Sequence, residues 1–114
     1  MINVLITGGA GFVGFHLANK LSNKKNYEIT IVDNFARPNN DAAFVDLISR
    51  ENIHHINLDL TLESSFASLE KEHFDEIYHF AALNGTSNFY NFPAKVLRIG
   101  TFSTINLLEW VAQQ

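Results

Sequence analysis

The chain has 114 residues, 46% of them hydrophobic, enough for one core, so a single domain is expected. A net charge of -4 with only 8 Lys and Arg supplies no basic stripe to neutralise phosphates, which excludes nucleic acid as a partner. Cysteine is absent, which removes disulfide frameworks and thiolate metal sites and points to a cytoplasmic setting.

The N-terminal apolar run lacks a basic region ahead of it and soon meets glycines, so it does not read as a secretory leader. No stretch approaches the roughly 20 apolar residues of a membrane span. Val4-Leu5-Ile6 instead has the pattern of a parallel strand buried on both faces. Phe12, Val13, Leu17, Ala18 and Leu21 then recur at helical spacing, up to the polar run Ser22–Asn26. Ile29–Val32 reads as a second strand ending at Asp33-Asn34, and Phe44, Leu47 and Ile48 follow helically behind Asn40 or Asp41 as a cap. Ile53–Leu58 is a third short strand, and Thr61 is placed to cap a helix carrying Leu62, Phe66 and Leu69. Ile77–Ala82 is the fourth strand. A polar, aromatic-rich loop from Asn84 to Phe92 leads to Pro93, whose missing N–H is harmless in the first turn of a helix. Val96, Ile99, Ile105, Leu108 and Val111 are expected to supply that helix's apolar side. Strands alternating with helices predict an α/β fold with parallel pairing and right-handed crossovers.

The chemistry concentrates at the first turn. Gly9-Ala10-Gly11-Phe12-Val13-Gly14 fits G-x-G-x-x-G, and Thr7–Gly14 also fits T-G-x-x-G-x-x-G. Early glycines permit a turn closed to most side chains, Gly11 lets a pyrophosphate approach the backbone, and Gly14 lets helix and strand pack closely. The helix N-terminus then presents free N–H groups and a positive dipole end to the phosphates. A tight strand-to-helix turn needs glycine for steric reasons as well, so the pattern gains weight from Asp33, about 20 residues on at the end of the next strand, where a ribose-binding acid is expected. Asp33 also suits a strand-end turn. As a ribose ligand it would accept from both hydroxyls and repel a 2′-phosphate, which favours NAD over NADP; Arg37, folded inward, would offset that charge and admit NADP. No Gly-Lys-Ser/Thr follows the glycines, which excludes a P-loop.

With these residues the sequence resembles the extended short-chain dehydrogenase/reductase family, the NAD-dependent epimerases and dehydratases of nucleotide sugars. The resemblance covers the whole chain but only the family's N-terminal portion. Val32-Asp33-Asn34 looks like the ribose-binding strand end, and Asp59-Leu60 is similar to the pair beside the adenine, Asp59 accepting from the exocyclic amine; an acid there also suits a helix cap. His79-Phe80-Ala81-Ala82 resembles the fourth-strand segment whose backbone lies along the cofactor, with His79 itself read as a hydrogen-bonded core histidine. Gly100-Thr101 with Asn106–Glu109 resembles the following helix. The resemblance implies a Rossmann-type parallel sheet of about four strands, order 3-2-1-4, with helices on both faces, truncated, so that residues 1–114 form a partial NAD-binding Rossmann domain. Its implied cofactor-binding residues are Gly8, Gly11, Phe12, Val13, Gly14, Asp33, Asn34, Asp59, Leu60, Phe80, Ala81 and Ala82. The five histidines lack a metal-ligand spacing, and no metal is expected.

Two departures matter. Leu97 stands where family members usually carry Asn, which removes a polar support near the catalytic centre. The resemblance also implies a Tyr-x-x-x-Lys pair beyond the fourth helix, and none occurs here; Tyr90 and Lys95 are separated by Pro93 and do not share a helical face. No catalytic residue is therefore assigned. The length suggests a truncated gene product, a proteolytic fragment or an expressed portion of a longer chain, whose parent takes a nucleotide sugar as substrate. The alternative is a stand-alone NAD-binding or regulatory module. An edge position for the fourth strand predicts homodimerisation or strand exchange there, and the Asn84–Asn91 loop is the local candidate for a substrate pocket.

Overall fold

The computed structural model describes residues 1–34, 42–69, 73–82 and 86–114. They fall into two compact units, Met1–Leu58 with His73–Phe80, and Asp59–Glu72 with Ala81–Gln114. Arg37, Asn40, Asp41 and Asn84, singled out above, lie outside the described residues.

The first unit is built on a parallel sheet. Strands β1 (Ile2–Thr7), β2 (Tyr27–Asp33), β3 (Ile53–Asn57) and β4 (Glu76–His79) line up in the order β3-β2-β1-β4. That is the expected order. The register pairs Val4 with Ile29 and Glu76, and Thr7 with Val32 and His79. Side chains alternate across a strand, so Val4, Ile6, Ile29, Ile31 and Ile53 share one face, while Leu5, Thr7, Val32 and His79 share the other. Val4, Leu5, Ile6, Ile29, Ile31 and Val32 are all buried, which explains apolar runs interrupted only by the buried Thr30.

Helices α1 (Phe12–Ser22) and α2 (Ala42–Ile48) complete this unit. Ala18 and Leu21 of α1 and Leu47 of α2 join Val4, Ile6, Ile29, Ile31 and Ile53 in one core, with Phe15, Leu17, Ile48, Tyr78 and Phe80 partly buried against it. Each fully buried Leu, Ile or Val stabilises the fold by roughly 1.5–3 kcal/mol. Phe12 and Val13 depart from the amphipathic pattern: they are exposed, at 80% and 57%, in the first turn of α1 beside the glycines. At the far end of α1 the Asn52 amide donates to the carbonyls of Ser22 and Tyr27, at 2.9 and 3.2 Å, which joins the helix end to the start of β2.

The second unit holds a short 3-10 helix (Glu63–Leu69), α3 (Thr86–Asn91) and α4 (Pro93–Ala112). Three expectations are corrected here. Thr61 does not cap the segment after β3: its N–H and hydroxyl both donate to Asp59 Oδ1, at 3.0 and 2.6 Å, so the carboxylate organises the turn; the helix that follows is a 3-10 one. The span read as a loop contains α3, a short helix that aromatic-rich polar composition does not announce. Finally, α4 begins at Pro93 as expected but buries Ser103, Leu107 and Trp110 while Ile105, Leu108 and Val111 are exposed. The helix carries two apolar stripes, and the one with the larger ring is covered: Trp110 lies 5.8 Å from Phe66, centroid to centroid, and Asn106 Nδ2 donates to the Leu60 carbonyl at 2.9 Å.

Among the described residues no helix is long and apolar enough to cross a membrane, and no group of His, Asp or Glu is placed to hold a metal.

Candidate cofactor site

In a parallel sheet all strands end at the same edge, and β1 lies where the chain crosses to β2 on one side and to β4 on the other. That edge, at that strand, is where open α/β sheets form binding crevices. Here it is occupied by Thr7, the glycine turn, Asp33 and His79.

The turn is held from both sides. Gly8, with φ 74°, leaves β1 through the left-handed region that side chains avoid, and its N–H donates to Val32 O at 2.7 Å. One turn later, Gly11 N–H donates to Gly8 O at 3.0 Å, and Phe15 N–H to Gly11 O at 2.9 Å opens the helical ladder. Asp33 Oδ2 accepts from Ala10 N–H at 3.1 Å, fastening the middle of the turn to the end of β2. On the other side Phe80 N–H donates to both the carbonyl and the hydroxyl oxygen of Thr7, each at 3.0 Å, and Thr7 Oγ1 shares a 2.6 Å hydrogen bond with His79 Nδ1.

The glycines have different reasons to be there. A Cβ on Gly9 would strike the buried Ile31 side chain, and one on Gly14 would strike the Gly8 carbonyl oxygen and lie 2.8 Å from Gly9 Cα. Both are steric requirements of the fold. Gly11 is different: its backbone is extended (φ -79°, ψ 173°), and an added Cβ would meet only Gly8 O, at 3.3 Å. The chain itself demands glycine less strictly at this position, where that carbonyl would have to give by a few tenths of an ångström. Gly11 is also the N-cap of α1, where no side-chain cap forms and no acidic residue occupies the first turn. The leading N–H groups and the positive end of the helix are left to another anion. These features fit a dinucleotide pyrophosphate.

The remaining expected residues divide between the units. Asn34 is exposed just past β2, and Phe80, half-buried, follows β4 in the first unit. Asp59, Leu60, Ala81 and Ala82 belong to the second, where Leu60 is buried and Asp59 is engaged in the Thr61 turn, its carbonyl also accepting from Ser65 Oγ at 2.6 Å. The Asp59 carboxylate thus closes a turn ahead of the 3-10 helix, which begins at Glu63, and its bonds to Thr61 cap none of that helix's N–H groups. Reading the sequence missed the Thr7–His79 contact; a polar residue closing an otherwise apolar strand, on the same face as a histidine of the neighbouring strand, was the available signal.

Burial lowers the His79 pKa below the ordinary histidine value. Above about pH 6.5 the group is neutral in both folded and unfolded chains. Below it the unfolded chain takes the proton first, so stability falls with pH from there down through the folded pKa. The urea midpoint is therefore expected to be lower at about pH 5.5 than at about pH 7.5, with a smaller difference in His79→Asn. Equal pH dependence in the two proteins would contradict this assignment.

The profile of the NAD dependent epimerase/dehydratase family matches residues 4–114. The chain belongs to this family. UDP-glucuronic acid decarboxylase 1 of Danio rerio is 39% identical over 107 residues, taking in 92% of this chain and 23% of that protein. UDP-arabinose 4-epimerase 1 of Arabidopsis thaliana is 35% identical over 114 residues, 96% of this chain and 27% of that one. Among solved structures, the UDP-Glc/GlcNAc 4-epimerase of Campylobacter jejuni matches with a TM-score of 0.84 at 33% identity, over 99% of this chain and 34% of that one. UDP-glucose 4-epimerase of Bifidobacterium longum, in complex with NAD+ and UDP, matches with a TM-score of 0.85 at 25% identity, over 97% and 33%. This epimerase/dehydratase chain thus spans about a quarter to a third of the length of these relatives.

Proposed function

We propose that this chain is the NAD-binding N-terminal region of a nucleotide-sugar epimerase or dehydratase. The carrying observation is Gly11, a glycine that the fold demands less strictly than Gly9 or Gly14, at the N-terminus of α1, where no side-chain cap forms. Gly11 and the N–H groups of Phe12, Val13 and Gly14 would hold the pyrophosphate, with Gly8 shaping the turn. Asp33 takes the adenosine ribose, and its charge favours NAD over NADP. Asn34, Asp59, Leu60, Phe80, Ala81 and Ala82 are assigned to the cofactor on the family resemblance. In the longer parent, bound NAD would supply reversible hydride transfer at a sugar carbon, while that protein orients the reactants and moves protons. Titration calorimetry with NAD and NADP tests the reading. NAD should bind with a Kd on the order of micromolar and NADP at least about tenfold more weakly; absence of binding by either nucleotide overturns it.

These 114 residues contain no Tyr-x-x-x-Lys pair, so the proton-transfer step has no group to perform it. We expect NAD binding without turnover of any nucleotide sugar, and measurable turnover by the pure chain would refute that.

A second reading, a non-catalytic binding or assembly module, is favoured by β4, whose outer edge pairs with no strand among the described residues. An unpaired edge presents a row of backbone donors and acceptors to another chain. Sedimentation coefficients should rise with concentration through the micromolar range; a constant monomer value would count against edge pairing.

A further inference from the structure

The Thr7 side chain is fully buried, yet it closes a strand whose other inward positions are aliphatic. Its hydroxyl is committed to β4: Phe80 N–H donates to it, and His79 Nδ1 lies 2.6 Å away. The next residue, Gly8, has a positive φ, and its N–H is held by Val32 of β2. The origin of the turn is therefore clamped between its two neighbouring strands, by backbone on the β2 side and partly by a side-chain pair on the β4 side. Neither residue needs to touch a ligand for this clamp to set the height and direction of the turn.

We propose that His79 is a positioning residue for the dinucleotide: through the Thr7 hydroxyl it fixes the end of β1 from which the Gly8–Gly11 turn rises toward the pyrophosphate. This rests on the NAD-binding reading above. Pyrophosphate capture depends on several N–H groups converging on one anion, so a small displacement of their common origin weakens all of them together. Asparagine at position 79 offers an amide that can keep a hydrogen bond to Thr7, and serine at position 7 keeps the hydroxyl; phenylalanine at 79 and valine at 7 preserve bulk and lose the bond.

The test is a calorimetric NAD titration of the whole chain, paired with amide hydrogen exchange in the absence of nucleotide. His79→Phe and Thr7→Val should each weaken NAD by about tenfold, Thr7→Ser and His79→Asn should stay within about threefold of wild type, and the Thr7→Val/His79→Phe double variant should lose no more than either single one. Without nucleotide, Gly8 and Gly11 amides should exchange faster in His79→Phe while Ile29 in the core does not. Wild-type affinity in His79→Phe, or additive losses in the double variant, would overturn the proposal. If the wild-type chain binds no NAD, the nucleotide reading fails on its own account and the clamp is judged by exchange alone: unchanged Gly8 and Gly11 protection in His79→Phe then overturns it.

Discussion

Gly11→Ala should leave the fold intact and weaken NAD binding at least about tenfold, whereas Gly14→Ala should disrupt the turn itself. The two glycines look alike in the motif and differ in what surrounds them. At Gly14 the three atoms nearest the new methyl would all be backbone: the Gly8 carbonyl oxygen, Gly9 Cα at 2.8 Å and Gly8 C at 3.0 Å. None of these can rotate aside, so α1 must move off the turn, at a cost of about 2 kcal/mol or more. That is a large share of the roughly 5–15 kcal/mol that separates folded from unfolded states. At Gly11 the backbone is already in a region open to alanine, and the single close neighbour, Gly8 O at 3.3 Å, has to give by a few tenths of an ångström. Reduced freedom of the unfolded chain offsets part of that cost. The methyl instead occupies space that an approaching pyrophosphate needs. Denaturant titration and calorimetry on both variants separate the outcomes; an unaltered NAD affinity in Gly11→Ala would mean that the nucleotide does not approach this backbone.

The second large effect is expected at Asp33, where two roles share one carboxylate. Oδ2 accepts from Ala10 N–H at 3.1 Å and so holds the turn to β2, while the negative charge is proposed to select a ribose that lacks a 2′-phosphate. Asparagine can keep the first role and loses the second. Asp33→Asn should therefore unfold near the wild-type temperature, bind NAD about tenfold more weakly, and discriminate less against NADP. Asp33→Ala loses both roles and should in addition be destabilised by about 1 kcal/mol or more. Melting curves and paired NAD and NADP titrations read this out. A discrimination ratio unchanged in Asp33→Asn would assign specificity to another residue.

The sheet was legible because its signals are steric and redundant. Val4–Ile6 is apolar at every position and Ile29–Val32 at all but the buried Thr30, since both faces are covered, and Gly9 and Gly14 stand where a methyl would collide with Ile31 or with Gly8. The strand order followed from the alternation of elements and the family resemblance together. The face of α4 was not legible, because Ile105 and Leu108 compete with Leu107 and Trp110 in any count of apolar periodicity, and tertiary contact with Phe66 decides between them. Nor was α3, whose six residues give too short a window for a helical period. Within the candidate site, the glycine turn and Asp33 were visible as a motif with a downstream partner. The bond from Ala10 N–H to Asp33 and the pairing of Thr7 with His79 join residues far apart in sequence that no motif spacing links; for the second pair the available signal was a polar residue at each strand end.

The central claim is that the turn between β1 and α1 receives the nucleotide. Its most direct test is a titration of isotopically labelled chain with NAD, following each backbone amide by NMR. The predicted result is saturable shifts concentrated at Gly8–Gly14 and Asp33, with the core of β2 at Ile29 and Ile31 little changed. Absence of shifts at saturating NAD, or shifts confined to α4, would contradict it.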